Sequence, residues 1–161
     1  MTVSPPPRER LDPRALRLWR LSDAIEAVVF VAIVAAVLIG LAVWRDWSKV
    51  LVAALIALAA IAATATVIWG PLLRWRNWRY EVRDQEVDLQ HGVWTITRVR
   101  VPMARIQHVD IRRGPLERRY GLATVVLFTA AGAHAIPGLA LEVADQLRDR
   151  IAALANTRDD V

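Results

Sequence analysis

The chain has 161 residues, a formal net charge of +5 and no cysteine, which excludes disulfides and thiol chemistry. The positive charge is concentrated beside the apolar part of the chain. Residues 1–24 sum to +2 and residues 71–79 to +3, whereas residues 25–70 and 80–161 each sum to zero. Because basic residues in such positions favour an anionic membrane surface, the high pI is weak support for nucleic-acid binding, and we expect no nucleic-acid partner.

Two uncharged apolar runs, residues 27–44 and 50–69, are separated only by the connector 45–49. Helices of these lengths are about 27 and 30 Å long, enough to cross the hydrocarbon core of a bilayer. Tryptophans mark the ends of the runs, as interfacial anchors do: Trp44, Trp47, Trp69 and Trp75. The pattern predicts a two-helix transmembrane hairpin over residues 25–70, in contact with membrane lipids.

Basic residues flank the hairpin on both sides and predict its orientation. Arginines precede the first run and follow the second, whereas the connector holds only Arg45 and Lys49, partly offset by Asp46. Since basic flanks stay cytoplasmic, both termini are expected in the cytoplasm, including the N-terminal segment 1–24. A cleaved signal peptide is the alternative for the first run, but that run begins late and a second span follows at once.

The interior of the hairpin is typical of an anchor. Neither run carries an ionisable residue of the kind that marks transport paths, and two spans are few for a transporter. Ala32, Ala36 and Gly40 are spaced four apart, which would let a second helix approach closely. The abundance of alanine explains such spacing equally well, and both interpretations stay open.

Residues 77–155 are predicted to form one α+β domain, followed by a polar tail at 156–161. The two-residue alternation of half-buried strands recurs at 78–82, 87–89, 97–101 and 106–112. The nearly continuous apolar run 122–129 predicts a strand buried on both faces, and a short strand is expected at 134–136 after the turn at Ala131-Gly132. We expect Pro102 to interrupt one strand and Pro137-Gly138 to end the sheet region. From Leu139 the period becomes helical, with an apolar stripe of Ala144, Leu147, Ile151 and Leu154.

Three segments carry a resemblance to a known family: Val101-Pro102-Met103-Ala104-Arg105-Ile106-Gln107-His108-Val109, Leu116-Glu117-Arg118-Arg119-Tyr120-Gly121-Leu122 and Val126-Leu127-Phe128-Thr129-Ala130. Their order and spacing are similar to those of bacterial PH-like domain proteins, in which a two-helix membrane hairpin precedes a pleckstrin-homology-like domain of unassigned function. The resemblance covers roughly residues 15–155.

The resemblance implies a bent, seven-stranded antiparallel β-barrel closed at one end by the C-terminal helix, in a protein of the bacterial inner membrane. It supplies no catalytic residues. It implies an interaction or scaffolding module, found in some cases beside a larger relative with several such domains. Bacterial PH-like domains of a related group also form ring-like oligomers.

The residues themselves give no catalytic or metal site. Three histidines lack ligand spacing: His91, His108 and His134. The serines lie outside the domain: Ser4, Ser22 and Ser48. No glycine-rich phosphate loop is present, and the acids Asp84, Glu86 and Asp88 are expected on a turn and on an exposed strand face. We therefore expect no catalytic residue, no metal and no cofactor.

The remaining candidate is the segment 98–119, whose local net charge is +5. Its outward positions nominate Arg98, Arg100, Arg112 and Arg113 for contact with anionic lipid headgroups or an acidic partner, since the arginine fork suits phosphates and carboxylates. The first two approach Arg112 only if their strands pair. The alternative is an ordinary solvated face in an arginine-rich protein.

Three functions are compatible with these features. The leading hypothesis is a non-enzymatic membrane protein whose domain binds a protein partner, such as a larger PH-like relative, or assembles with itself. The second is a lipid-binding domain that reads anionic headgroups through the arginines. The third is an enzyme, or a subunit completed by another chain.

Overall fold

The computed structural model describes residues 6–45 and 47–156, which fall into two units. The hairpin unit is Trp19–Leu73. The globular unit combines the chain up to Leu18 with the chain from Arg74 onwards. The predicted tail lies outside the described residues from position 157 on.

The hairpin unit is built from two helices, α1 (Pro13–Arg45) and α2 (Lys49–Asn77), which begin or end in the globular unit. Both are long and apolar enough to cross a membrane, and their apolar side chains are largely exposed. Thr64 and Thr66 each donate a hydrogen bond to a carbonyl of their own helix at 2.8 Å. The helices predicted from the two apolar runs are confirmed and extend beyond the runs.

Small side chains from both helices line an open groove of about 520 Å³ in the hairpin unit. Ala32 of α1 lies there, as do Ala60 and Thr64 of α2. A Cβ added at Gly40 would meet nothing within 4 Å, so this glycine is not at a close helix contact. Ala36 and Gly40 are exposed and do not line this groove, so the small-residue spacing does not mark a tight contact between the helices.

The globular unit contains seven strands, two further helices and a 3₁₀ turn. In chain order these are β1 (Glu9–Arg10), β2 (Arg79–Val82), β3 (Glu86–His91), β4 (Thr97–Pro102), the 3₁₀ turn Met103–Arg105, β5 (Ile106–Arg112), α3 (Pro115–Tyr120), β6 (Leu122–Thr129), β7 (Gly132–Ala140) and α4 (Leu141–Asn156). The strands predicted from alternation are thus confirmed, and Pro102 ends β4 as expected.

The strands form two antiparallel sheets. Sheet A has the order β1-β2-β3-β4 and sheet B the order β5-β6-β7. Among the described residues no ladder joins the two sheets, so they form an open pair rather than a closed barrel. Helix α4 packs on sheet B through Ala144, Leu147 and Ile151, which are buried as the helical period predicts. The architecture is that expected for a PH-like domain, except that the barrel is not closed.

Because of strand β1, the two long helices are inserted in the sequence of the domain and do not simply precede it. Glu9 pairs with Tyr80 and Arg10 with Arg79, so the chain leaves sheet A after β1 and returns to it at β2. Only two residues separate β1 from α1, and only Trp78 separates α2 from β2. The domain predicted to begin at residue 77 therefore also includes part of the segment 1–24.

The N-terminal segment also contributes to the core of the globular unit. Leu11 is 2% exposed and Ala15 is fully buried. The Tyr80 hydroxyl hydrogen-bonds Glu9, and burial together with this carboxylate raises the pKa of Tyr80. Alternation alone did not reveal β1 because a two-residue strand between prolines and a helix is too short to show a period.

Strand β7 continues to Ala140, so the prediction that Pro137-Gly138 ends the sheet region is wrong. The strand is at the edge of sheet B, where a proline without an N–H is tolerated. The register with β6 shifts between Ala123 and Val125, which accommodates an extra residue of β7. As a result, α4 begins at Leu141 rather than at Leu139.

Asp12 joins several segments of the globular unit. Its carboxylate accepts a hydrogen bond from the backbone N–H of Arg14 at 2.7 Å, which caps α1. Its carbonyl accepts one from the Trp75 indole at 3.2 Å, and its N–H donates to the Gly138 carbonyl at 3.1 Å. The Arg14 guanidinium donates to Asp12 at 3.0 Å and to the Tyr120 carbonyl at 3.4 Å. We call these five residues the Asp12 junction.

Gly138 brings β7 close to the first turn of α1. Its φ of +63° is in the left-handed region that favours glycine, and an added Cβ would lie 2.5 Å from the Ala15 Cβ. A side chain at Gly138 would therefore push the two elements apart at the Asp12 junction.

We predict that Leu11→Ala lowers the free energy of unfolding of the full-length chain by about 2–5 kcal/mol, the usual cost of truncating a buried leucine. Thermal or denaturant unfolding in detergent micelles measures the loss. Arg10→Ala, which changes an exposed side chain of the adjacent strand, is the matched control and should leave stability nearly unchanged. Equal, small effects of both changes would contradict the assignment of this segment to the core.

We predict a pH-dependent contribution from Asp12. The hydrogen bond from Arg14 lowers the pKa of this carboxyl from its ordinary 3.8. A lowered folded-state pKa stabilises the fold above the ordinary value, and this stabilisation is lost as the pH falls through the folded-state value. Asp12→Asn, which retains a good N-cap, should cost up to about 1 kcal/mol at neutral pH, since Arg14 is partly exposed.

The test compares unfolding of the wild type and Asp12→Asn from neutral pH into the acid range. The difference between them should shrink below the ordinary carboxyl pKa. A difference that does not change with pH would show that the charge of Asp12 contributes nothing.

Candidate functional site on the outer faces of the two sheets

The outer face of sheet A carries a buried carboxylate. The antiparallel register aligns Glu81, Asp88 and Arg100 across β2, β3 and β4. Asp88 is 0% exposed, although alternation correctly assigned it to the face opposite the apolar residues. The prediction of an exposed Asp88 is therefore wrong, because arginine side chains from neighbouring strands cover it. A buried carboxylate is stable only when paired in this way.

Arg98 makes the closest of these contacts. Its guanidinium forms a two-pronged pair with Asp88, in which Nε donates to Oδ1 at 2.9 Å and Nη2 donates to Oδ2. This hydrogen bonding raises the pKa of Arg98. The geometry is that of a strong, oriented ion pair. Arg98 is thus engaged inside the domain.

Arg83 and Arg100 complete the group around Asp88. Arg83 donates to Glu81 at 2.7 Å and to Glu86 at 3.5 Å, and lies 3.9 Å from Asp88. Arg100 lies 4.0 Å from the same carboxylate and its side chain is 43% exposed. The hydrogen bond that Arg83 donates to the Glu81 carboxylate raises the pKa of Arg83. We call these side chains with Asp88 and Arg98 the Asp88 network; three cations there face three anions.

The four arginines nominated from the sequence do not form one cluster. Arg98 and Arg100 lie on β4 of sheet A, whereas Arg112 lies on β5 of sheet B, and these two strands do not pair. The Arg113 Nε donates to the Leu122 carbonyl at 3.1 Å, so this side chain holds the start of β6. A joint site required the strands of Arg98, Arg100 and Arg112 to pair, and they do not.

Sheet B presents an aromatic group on its outer face. The His108 ring stacks on the Phe128 ring with centroids 4.3 Å apart and planes inclined by 14°. The Arg112 guanidinium lies 5.4 Å from the centre of the Phe128 ring. Ala133 and Ala135 of β7 extend the same face, since they pair with Phe128 and Val126.

We call the group of His108, Arg112, Phe128, Ala133 and Ala135 the Phe128 surface. His108, Arg112 and both alanines are exposed, and Phe128 is half-buried. Aromatic residues and arginine are enriched in protein interfaces. The arrangement offers shape and stacking rather than a reactive group.

The described part of the chain contains no group of three or more histidine, aspartate or glutamate side chains able to hold a metal ion. The histidines are separated: His108 stacks on Phe128, and His91 stacks on Trp78 with centroids 6.0 Å apart. No nucleophile and base are brought together in the contacts described above.

Sequence reasoning missed the loop between β3 and β4. Trp94 is 97% exposed and Ile96 is 58% exposed in a segment that connects two strands. The signal was present in the sequence, because a tryptophan and an isoleucine close to a hairpin turn have no partner strand position to fill.

Comparison with known proteins gives two matches. The sequence profile of the family described as Bacterial PH domain matches residues 18–155. The UPF0699 transmembrane protein YdbS of Bacillus subtilis (strain 168) is 43% identical over 154 residues, which is 96% of this chain and 96% of that protein. No solved structure matches significantly.

We predict that Asp88→Ala destabilises the fold, because it leaves Arg98 without its partner on the sheet. Loss of one member of a buried pair costs 3–5 kcal/mol; partial exposure of the arginines reduces this to about 2–3 kcal/mol. Arg100→Ala, on the exposed side of the Asp88 network, should cost under about 1 kcal/mol. Denaturant unfolding of the full-length variants measures both, and a larger loss in Arg100→Ala would contradict the order of contacts.

Proposed function

Because the chain belongs to the bacterial PH domain family, we propose that it is a membrane-anchored interaction module without catalytic activity of its own. Its PH domain binds a protein partner at the cytoplasmic face of the inner membrane. The partner is a second copy of this chain or a larger protein of the same family. The chain itself is a membrane protein, since a protein described as transmembrane is similar to it over nearly the full length of both chains.

The observation that carries the proposal is the Phe128 surface. Its exposed alanines leave room for a partner's side chains, and the stacked His108 and Phe128 rings provide a fixed apolar centre. Aromatic residues and arginine contribute strongly to protein association when a partner excludes water from them. Arg112, held over the ring, adds a directional donor at the margin.

The pairing of β1 with β2 supports a hairpin that crosses the membrane twice. These strands flank the hairpin in the sequence, and both belong to sheet A. Two strands of one sheet must lie on the same side of the membrane, which requires an even number of crossings between them. The basic flanks place that side in the cytoplasm.

The Asp88 network weighs against the alternative in which the arginines read lipid headgroups. Arg98 is committed to Asp88, and Arg113 to a backbone carbonyl. Arg100, Arg112 and Arg113 are exposed, but Arg100 lies on sheet A, away from the adjacent pair Arg112 and Arg113, and Arg113 also holds the Leu122 carbonyl. Single, separated arginines give weak and strongly screened attraction to an anionic surface.

The test uses the absence of cysteine from the chain, which makes any introduced thiol unique. Ala133→Cys and Ala135→Cys place a thiol on the Phe128 surface, and Gln146→Cys places one on an exposed position of α4. Treatment of native membranes with a short photoactivatable thiol reagent, followed by mass spectrometry, should give specific crosslinks from Ala133→Cys and Ala135→Cys but not from Gln146→Cys.

A crosslinked dimer or a reproducible second protein would support the proposal and identify the partner. Crosslinks that are absent at all positions, or equal at Gln146→Cys, would remove its support. Adding Phe128→Ala to the Ala133→Cys chain should reduce the yield several-fold when the ring forms the centre of the interface. A folding check accompanies that variant because Phe128 is half-buried.

A further inference from the structure

The loop between β3 and β4 exposes apolar side chains at a turn. Residues 92–96 carry no charge, and they present Trp94 and Ile96 to solvent at 97% and 58% exposure. An indole left this open at the end of a hairpin contributes nothing to the core of the globular unit. Its exposure therefore suggests that the indole contacts another molecule or a membrane.

The loop is held in a defined conformation. Gly92 has a φ of +127°, and a Cβ at this position would lie 1.9 Å from the Thr95 carbonyl oxygen. The turn thus requires glycine, and the backbone presents Trp94 from a tight bend rather than from a long flexible segment.

Two contacts attach this loop to the end of helix α2. The Asn77 side chain donates a hydrogen bond to the Gly92 carbonyl at 3.0 Å. The His91 ring stacks on Trp78, the residue that directly follows the helix. The loop is therefore fixed beside the point where α2 ends.

Chain length limits how far that point lies from the apolar run. Asn77 follows Trp69, the last residue of the run, by eight positions in one continuous helix, a rise of about 12 Å. The interfacial layer of a bilayer is about 5–7 Å thick on each side. Two extended residues beyond Gly92 reach about 7 Å, and the indole reaches further. Along the chain, the loop is thus attached to α2 eight residues beyond the apolar run.

We propose that residues 92–96 form a membrane-insertion loop, in which Trp94 and Ile96 enter the interfacial layer of the bilayer that holds the hairpin. Tryptophan favours this layer because its ring is apolar and its indole N–H still finds polar partners there. The loop fastens the PH domain to the membrane at a third point, after the two helices.

A bilayer fits the loop better than a protein partner does. Two apolar side chains on a single turn form too small an area for a stable protein interface, which buries about 800 Å² on each side. Arg74 and Arg76 lie in the last turns of α2, just after the apolar run, where basic residues commonly flank a membrane span. Insertion depends on apolar transfer and is therefore insensitive to salt.

The experiment places an environment-sensitive fluorophore on Thr95→Cys in the full-length chain. The protein is reconstituted, without other proteins, in vesicles of equal parts phosphatidylcholine and phosphatidylglycerol, with and without a lipid bearing a shallow nitroxide quencher. Ala131→Cys, exposed at the turn between β6 and β7, is the control. The probe at position 95 should show a blue-shifted emission and nitroxide quenching that persist at high salt, and the probe at 131 should show neither.

Trp94→Ser in the Thr95→Cys chain is the decisive variant. It should abolish the shift and the quenching while leaving the unfolding temperature unchanged, because Trp94 makes no core contact at 97% exposure. Quenching that survives Trp94→Ser, disappears at high salt, or never appears at position 95 overturns the proposal. These readouts need no protein partner, so they stand or fall separately from the Phe128 surface.

Discussion

Asp12 is the residue on which the arrangement of the domain depends. It lies between β1 and α1, and through the Asp12 junction it contacts the end of α2, the end of α3 and strand β7. A single short residue can do this because its backbone and carboxylate are used at once, with one charge balanced by Arg14. The start of α1 and the end of α2, from which the chain enters and leaves the hairpin unit, both belong to this junction.

The two sheets use their outer faces differently. Sheet A places three acids and three arginines in the Asp88 network, where most of the charge is compensated within the domain. Sheet B instead places rings and alanines outward, with Arg112 held over Phe128. Aromatic residues and arginine are enriched in protein interfaces, and acidic residues are depleted, so the outer face of sheet B resembles an interface more than that of sheet A does. The protein thus separates the stabilising role of arginine from the surface available to a partner.

The sequence predicts the elements well because most of them are long enough to show a period. Eighteen or more apolar residues identify a span, the alternation around Val99 identifies a strand, and the continuous apolar run around Val125 identifies a buried strand. What it does not predict is pairing between distant segments. Strand β1 and the burial of Asp88 depend on which strands become neighbours, and the split of Arg98 from Arg112 depends on which sheet each strand joins. The exposure of Trp94, in contrast, was predictable from the sequence, because the turn in which it lies offers its side chain no strand position.

Strands β1 and β2 of sheet A lie on opposite sides of the hairpin in the sequence, so the folding of the domain depends on the order in which these segments are synthesised. The ribosome makes β1 first, and its partner β2 emerges only after both helices have been made. Until then Leu11 has no core to enter, and the sheet lacks its first strand. Under the proposed topology, a chain in which only one of the two helices crossed the membrane would leave β1 and β2 on opposite sides and could not complete the sheet. Pairing of β1 with β2 is therefore compatible with an even number of crossings alone, and a chain with a single crossing would leave the core of sheet A incomplete.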